Sequence, residues 1–363
     1  MVRRSLAAIA ALLALAACGG GAESPQQAGT QPAPEQQTTS QGVSARELLD
    51  ATEAIDKLLA AERTREALIV ARKLVERAAP GSDSAFRANE LAARVCFTHA
   101  RMPTNDLTPD ERTALLAEAA ALAVQSIGPS ERDDARISFA ALLAAGGGLH
   151  KDAARLFDQA LVVSPRNRGY LLQAALSALR NDDIARARIL LAQRREAAPG
   201  DAWNEGLDAE ISIVSGDTSG AVDAAQRAVA ADRDGLEFRM ILGRALRKDG
   251  RAKDAARMLS ALEADARAKP ALAEQLALAL AESGDLAAAA RAWGDCIAAN
   301  PNDPYARAEA VLAFRAAGDH ARAAAEFENL KLLKGGAAEY RRIEPKLIES
   351  IPKANDAPRG SAQ

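Results

Sequence analysis

Residues 284–301 read GDLAAAARAWGDCIAANP. Gly284 stands at a turn, Ala289 follows five residues later, Trp293 four after that, and Pro301 closes the stretch. The same punctuation recurs at Gly148, Ala153, Phe157 and Pro165. Gly148, Gly216, Gly250, Gly284 and Gly318 fall on one ladder of 34 residues, and Asp182 takes the remaining rung. Five glycines on six rungs would arise by chance on the order of one time in a thousand, so the spacing is a repeat. Ala153, Ala187, Ala221, Ala255, Ala289 and Ala323 keep the phase. Phe157, Leu191, Ala225, Leu259, Trp293 and Phe327 follow them, and Pro165, Pro199 and Pro301 end three of the units.

Elementary chemistry explains the order. Glycine adopts positive φ and ends a first helix. Alanine lets a second helix approach closely, and the large residue one turn on fills the gap. Proline stops the second helix and opens the next unit. Ala153, Phe157, Ala160 and Leu161 share one helix face. A unit cannot bury that face alone, so units must stack.

This pattern resembles the tetratricopeptide repeat, a 34-residue helix–turn–helix whose second half reads A-x3-F…P. Ala153, Phe157 and Pro165 carry that half, as do Ala289, Trp293 and Pro301; Gly318-Asp319-His320 matches its turn. The first half is weaker, with Leu242-Gly243 as its best trace. The resemblance implies an all-α fold, an α-solenoid built as a right-handed superhelix of about eight units. Six regular units are placed over 134–337, beginning at Asp134, Arg168, Ala202, Leu236, Pro270 and Pro304. Two looser units are expected over 44–131. Ser44-x-x-Glu47 is a capping box, and Thr108-Pro109-Asp110-Glu111 opens a helix after the break at Met102-Pro103. Residues 338–363 are read as a capping helix, interrupted by Pro345, and a frayed tail.

The N-terminus reads as an address. Arg3 and Arg4 precede an apolar run ending in Leu15-Ala16-Ala17-Cys18. The run is too short to span a bilayer, which takes about 20 residues, and fits a signal peptide over 1–17. The tetrad resembles the lipobox of bacterial lipoproteins, which implies a covalent lipid on Cys18. Gly19 follows, where in those lipoproteins an Asp favours the inner membrane. The implied location is therefore an outer membrane lipoprotein facing the periplasm. Residues 18–43 are polar, carry Gln31-Pro32-Ala33-Pro34, and predict a disordered tether reaching roughly 25–30 Å.

Composition narrows the chemistry. In 363 residues, 46 Lys and Arg oppose 49 Asp and Glu, a net charge of −3. That balance disfavours a nucleic-acid partner, which needs a basic face. Aromatic residues are 3% of the chain, too few for stacking platforms. Three His and three Cys make a metal centre or a disulfide framework improbable. His150 and His320 hold equivalent turn positions, and Cys96 and Cys296 read as buried inert thiols. Gly146-Gly147-Gly148 has no preceding strand and no G-K-[ST], so it is a turn and not a phosphate loop. No catalytic constellation is found, and no cofactor or metal is expected.

In the family that this chain resembles, the first helices of successive units line a concave face that holds peptides. By phase, that face would carry Trp203, Glu210, Met240, Arg244, Arg247, Lys248, Glu274, Glu282, Tyr305 and Arg315. Arg244, Arg247 and Lys248 are read as a basic stripe, and Trp203 and Tyr305 as aromatic anchors. The Lys/Asn carboxylate clamp of some family members does not appear at these positions. The expected role is an interaction scaffold in envelope assembly or export, whether of pili and secretins, outer-membrane proteins or polysaccharide. An adaptor of a cell-wall enzyme, as a homodimer, and a structural spacer are the alternatives.

Overall fold

The computed structural model describes residues 42–102, 107–262, 269–333 and 336–349. Cys18, the leader, most of the tether and the tail lie outside the described residues. Within them there are 17 helices and no strand. In chain order they are α1 (Ala45–Ala60), α2 (Thr64–Arg77), α3 (Asp83–Arg101), α4 (Pro109–Gln125), α5 (Asp134–Gly146), α6 (His150–Val163), α7 (Arg168–Arg180), α8 (Ile184–Ala197) and α9 (Ala202–Ser215). The remainder are α10 (Thr218–Ala231), α11 (Leu236–Lys248), α12 (Ala252–Ser260), α13 (Pro270–Ser283), α14 (Leu286–Ala299), α15 (Pro304–Ala316), α16 (His320–Leu332) and α17 (Gly336–Glu349). In chain order a first helix is followed by a second eight times, and α17 closes the series. The chain divides into two compact units, one of residues up to Leu107 with Glu111–Ser215, the other of Thr108–Asp110 with Gly216 onward.

The ladder residues make the turns. Gly148, Gly216, Gly250, Gly284 and Gly318 have φ between 76° and 90°, and Asp182 joins them at 62°. Asp182 thus holds a glycine's conformation, which Asp tolerates better than most side chains. At five of these rungs the left-handed residue directs the next N–H back over the helix end. Leu149 N donates to Ala144 O at 2.8 Å, Asp183 N to Ala178 O at 2.9 Å, and Asp285 N to Leu280 O at 3.0 Å. These close orphan carbonyls in the Schellman manner. The residue after the rung then caps the outer helix: Asp183, Asp217, Asp285 and Asp319 accept from backbone N–H groups three residues on, at 2.9–3.0 Å. One Gly-Asp pair therefore ends one helix and starts another.

The packing face follows the phase. Ala153, Ala187, Ala221 and Ala255 are fully buried, and Phe157, Leu191, Leu259 and Trp293 lie beside them at 4% exposure or less. Burial of a side chain such as Phe157 contributes about 1.5–3 kcal/mol. In the first unit, Ile55, Leu68, Leu74, Leu91, Val95 and Leu115 form one core across α1–α4. In the second, Ala277, Trp293, Ile297, Ala310 and Phe314 form another.

One expectation changes. The closing helix begins at Gly336 and runs through Pro345 without interruption. Proline removes one backbone bond there, and the helix is held by packing instead. Ile343 is fully buried with Leu330, and Phe327 stacks on Tyr340 at 4.4 Å between centroids. The outer helix α12 spans only nine residues, shorter than the other outer helices of the regular units.

Candidate interaction surface

The candidate residues lie on α9 in the first unit and on α11, α13 and α15 in the second. Along α7 every residue from Leu171 to Arg180 is buried, and along α11 every residue from Met240 to Leu246. An inner helix is flanked by its own outer helix and by neighbours, and small residues such as Ala174 and Gly243 bring those flanks close. A Cβ on Gly243 would meet Leu259 Cδ1 at 3.0 Å. On each of these two helices burial reaches further around the surface than the phase alone implies.

This corrects part of the expected surface. Glu210, Met240 and Arg244 are 1%, 6% and 7% exposed, so none is a solvent-facing contact. The basic stripe is reduced further at Arg247. Its guanidinium forks onto Glu282, with Nε to Oε2 at 2.8 Å and Nη2 to Oε1 at 2.6 Å, while Nη1 donates to Gln275 Oε1 at 2.8 Å. That pair joins α11 to α13 and leaves little net charge. Lys248 is exposed at the end of α11. Glu282 keeps an exposed carboxylate edge, and Glu274 and Arg315 are half-buried. In the first unit Trp203 is half-buried, and its backbone N–H donates to Asp201 Oδ1 at 2.9 Å. Tyr305 meets Trp293 edge-on at 6.2 Å and carries the Arg342 guanidinium 5.6 Å above its ring. Arg342 also pairs with Glu309 at 2.8 Å and Glu339, so Tyr305 helps to seat α17.

Sequence reading missed the buried charges. Arg194, 2% exposed, pairs with Asp201 at 3.1 Å and donates to Asn204 Oδ1 at 2.5 Å, tying α8 to α9. Burial lowers its pKa, and Asp201 opposes that shift. Arg180, 4% exposed, is pushed down to about 10 by burial, with Glu210 acting against the shift. The available signal was an Arg at an otherwise apolar helical phase. Arg180 also lines a cleft of about 540 Å³ between the turns at 148–152 and 180–182, beside His150, Lys151, Asp152 and Asp182.

The two described cysteines are not activated. Cys96 and Cys296 are buried free thiols, and desolvation raises each to about 12. His150 and His320 open their outer helices, α6 and α16. Among the described residues there is no cluster able to hold a metal.

No protein-family model matches the chain, and no curated protein sequence does. Solved structures do. A tetratricopeptide repeat protein from Parabacteroides merdae aligns over 74% of this chain and 100% of its own, at TM-score 0.58 and 10% identity. PilW, described as a widely conserved type IV pilus biogenesis factor, aligns over 59% of this chain and all of its own, at TM-score 0.50 and 15% identity. The fold is that of the tetratricopeptide repeat. At these identities the likeness concerns the fold alone. In tetratricopeptide terms, α11, α13 and α15 are first helices, and on them Glu274, Tyr305 and Arg315 are half-buried while Lys248 and Glu282 are exposed.

Proposed function

We propose that this chain is a membrane-tethered, non-enzymatic interaction scaffold of the bacterial envelope. The observation that carries the reading is the array itself: repeated helical hairpins follow a leader that ends in a lipobox-like Leu15-Ala16-Ala17-Cys18. Among the described residues no helix is long and apolar enough to cross a membrane. In this reading a lipid on Cys18 anchors the chain, residues 18–43 give it reach, and the array recruits a protein partner. The anchored chain faces the periplasm from the outer membrane. The likeness to a pilus biogenesis factor supports assembly or export of envelope polymers as the setting. On α11, α13 and α15 of the second unit, Lys248, Glu282 and Arg315 are the polar contacts.

The anchor is tested by Cys18→Ser. The variant is expected in the soluble envelope fraction while the parent stays with the membrane. Retention of the variant in the membrane would overturn lipidation as the anchor.

A further inference from the structure

Two aliphatic side chains of the first unit stand out in water on its second helices. Val162 of α6 is 77% exposed and Ile189 of α8 is 50% exposed. Ile189 departs from the repeat. At its phase, in steps of 34 residues, stand Arg155, Asp223, Arg257, Arg291 and Ala325. Four of those five are charged, as a solvated helix face requires, so the fold does not demand an isoleucine there.

An ion pair sets the register of the two helices. Arg186 Nη2 donates to Asp158 Oδ1 at 2.7 Å, joining α8 to α6. Both are second helices of consecutive units and run the same way. Val162 follows Asp158 by four residues, and Ile189 follows Arg186 by three. The two side chains therefore stand one turn beyond the bridge, on the same side of the unit. Ala185 and Ala192 flank Ile189 and are exposed.

The same helices are cationic in a chain whose net charge is −3. With the buried Arg194 set aside, α6 and α8 carry five Lys and Arg against Asp152, Asp158 and Glu196. Asp158 is engaged by Arg186. Lys151 and Arg188 are exposed and make no ion pair among the described residues. Lys151, Arg155 and Val162 share one stripe of α6, and Arg188 adjoins Ile189 on α8.

We propose that this face rests on an anionic lipid surface, with Val162 and Ile189 entering the headgroup layer and Lys151 and Arg188 on its phosphates. Protruding aliphatic side chains beside unpaired cations are the chemistry of interfacial contact. Neither side chain lines the clefts at Gly148–Asp152 or around Arg136. A fluid headgroup layer moulds around such crests, whereas a polypeptide anchor needs a recess to fill. The first unit also holds the start of the described chain. The proposed anchor enters only here: a lipid on Cys18 would keep this unit within roughly 25–30 Å of a bilayer. Contact through the face needs no anchor.

The test is flotation with vesicles of the chain from residue 18 onward carrying Cys18→Ser, which keeps every described residue and cannot be lipidated. Its outcome is thus separate from that of the anchor. Binding is expected to phosphatidylglycerol mixed into phosphatidylcholine, to weaken with added salt, and to be lost on phosphatidylcholine alone. Lys151→Gln with Arg188→Gln is expected to weaken it on the order of fivefold for each cation. Val162→Asp with Ile189→Asp is expected to abolish it at unchanged helix content. Should the aspartates lower helix content, the glutamine pair decides alone. No binding by the parent, equal binding to neutral vesicles, or full binding by the folded variants would each overturn the proposal. Cross-linking of a protein that only the aspartate variant loses, with no vesicle binding by the parent, would assign the face to a polypeptide instead.

Discussion

At the residue scale, two glycines act for different reasons. Gly284 has φ 90°, and a Cβ there would find nothing within 4 Å. Its cost on substitution is conformational alone. Gly284→Ala is expected to destabilise by about 1–2 kcal/mol, read as a lower denaturation midpoint with unchanged slope. Gly147 is not left-handed, but a Cβ there would sit 2.4 Å from the Ala120 Cβ. Gly147→Ala is expected to cost about 1–3 kcal/mol through overpacking, and Ala120→Gly in the same chain should recover part of that loss. Failure of the second change to compensate would show that contact is not the cause. Ion pairs separate in the same way. Arg194→Ala leaves Asp201 and Asn204 without their buried partner and should cost about 3 kcal/mol. Arg247→Ala breaks a fork whose Glu282 side is 45% exposed, and about 1 kcal/mol or less is expected.

At the element scale, α17 is a helix that its sequence does not favour. Pro345 lies inside it, and tertiary contacts supply the stability. Phe327 stacks on Tyr340, and Lys331 sits 5.5 and 5.2 Å from the two rings. Tyr340→Ala should therefore fray α17 selectively, seen as rapid proteolysis within 336–349 while 134–262 stays protected. This helix also shows how far the sequence was legible. The ladder glycines, the alanine phase and the large residue after it state the period, so units from Asp134 onward could be placed. A non-glycine turn carries no such mark. Glu62 adopts φ 58° between α1 and α2, and nothing in its type announces this. The surface was less legible than the fold. Phase gives the direction in which Glu210, Met240 and Arg244 point along an inner helix. It does not give how closely neighbouring helices crowd them, because that depends on small residues contributed by other units. Buried charge was hidden for a similar reason: Arg180 becomes a core residue only once its neighbours are in place.

At the scale of the whole molecule, the proposed function joins a lipid anchor, a tether and a helical-repeat array that holds a protein partner. Its central claim is that half-exposed polar residues of the inner helices hold a protein partner in the envelope. Arg244 is a poor probe of that claim because it is buried, and Arg247 because it serves the fold. Lys248 and Arg315 are better, since reversing their charge leaves the packing intact. The decisive measurement is cross-linking in native cells, followed by purification through a C-terminal tag and mass spectrometry, on the parent and on Lys248→Glu with Arg315→Glu. The account predicts that the parent recovers one envelope assembly and that the charge-reversed chain, equally folded and abundant, loses it. Recovery of the chain alone, or of the same partners by both forms, would contradict it.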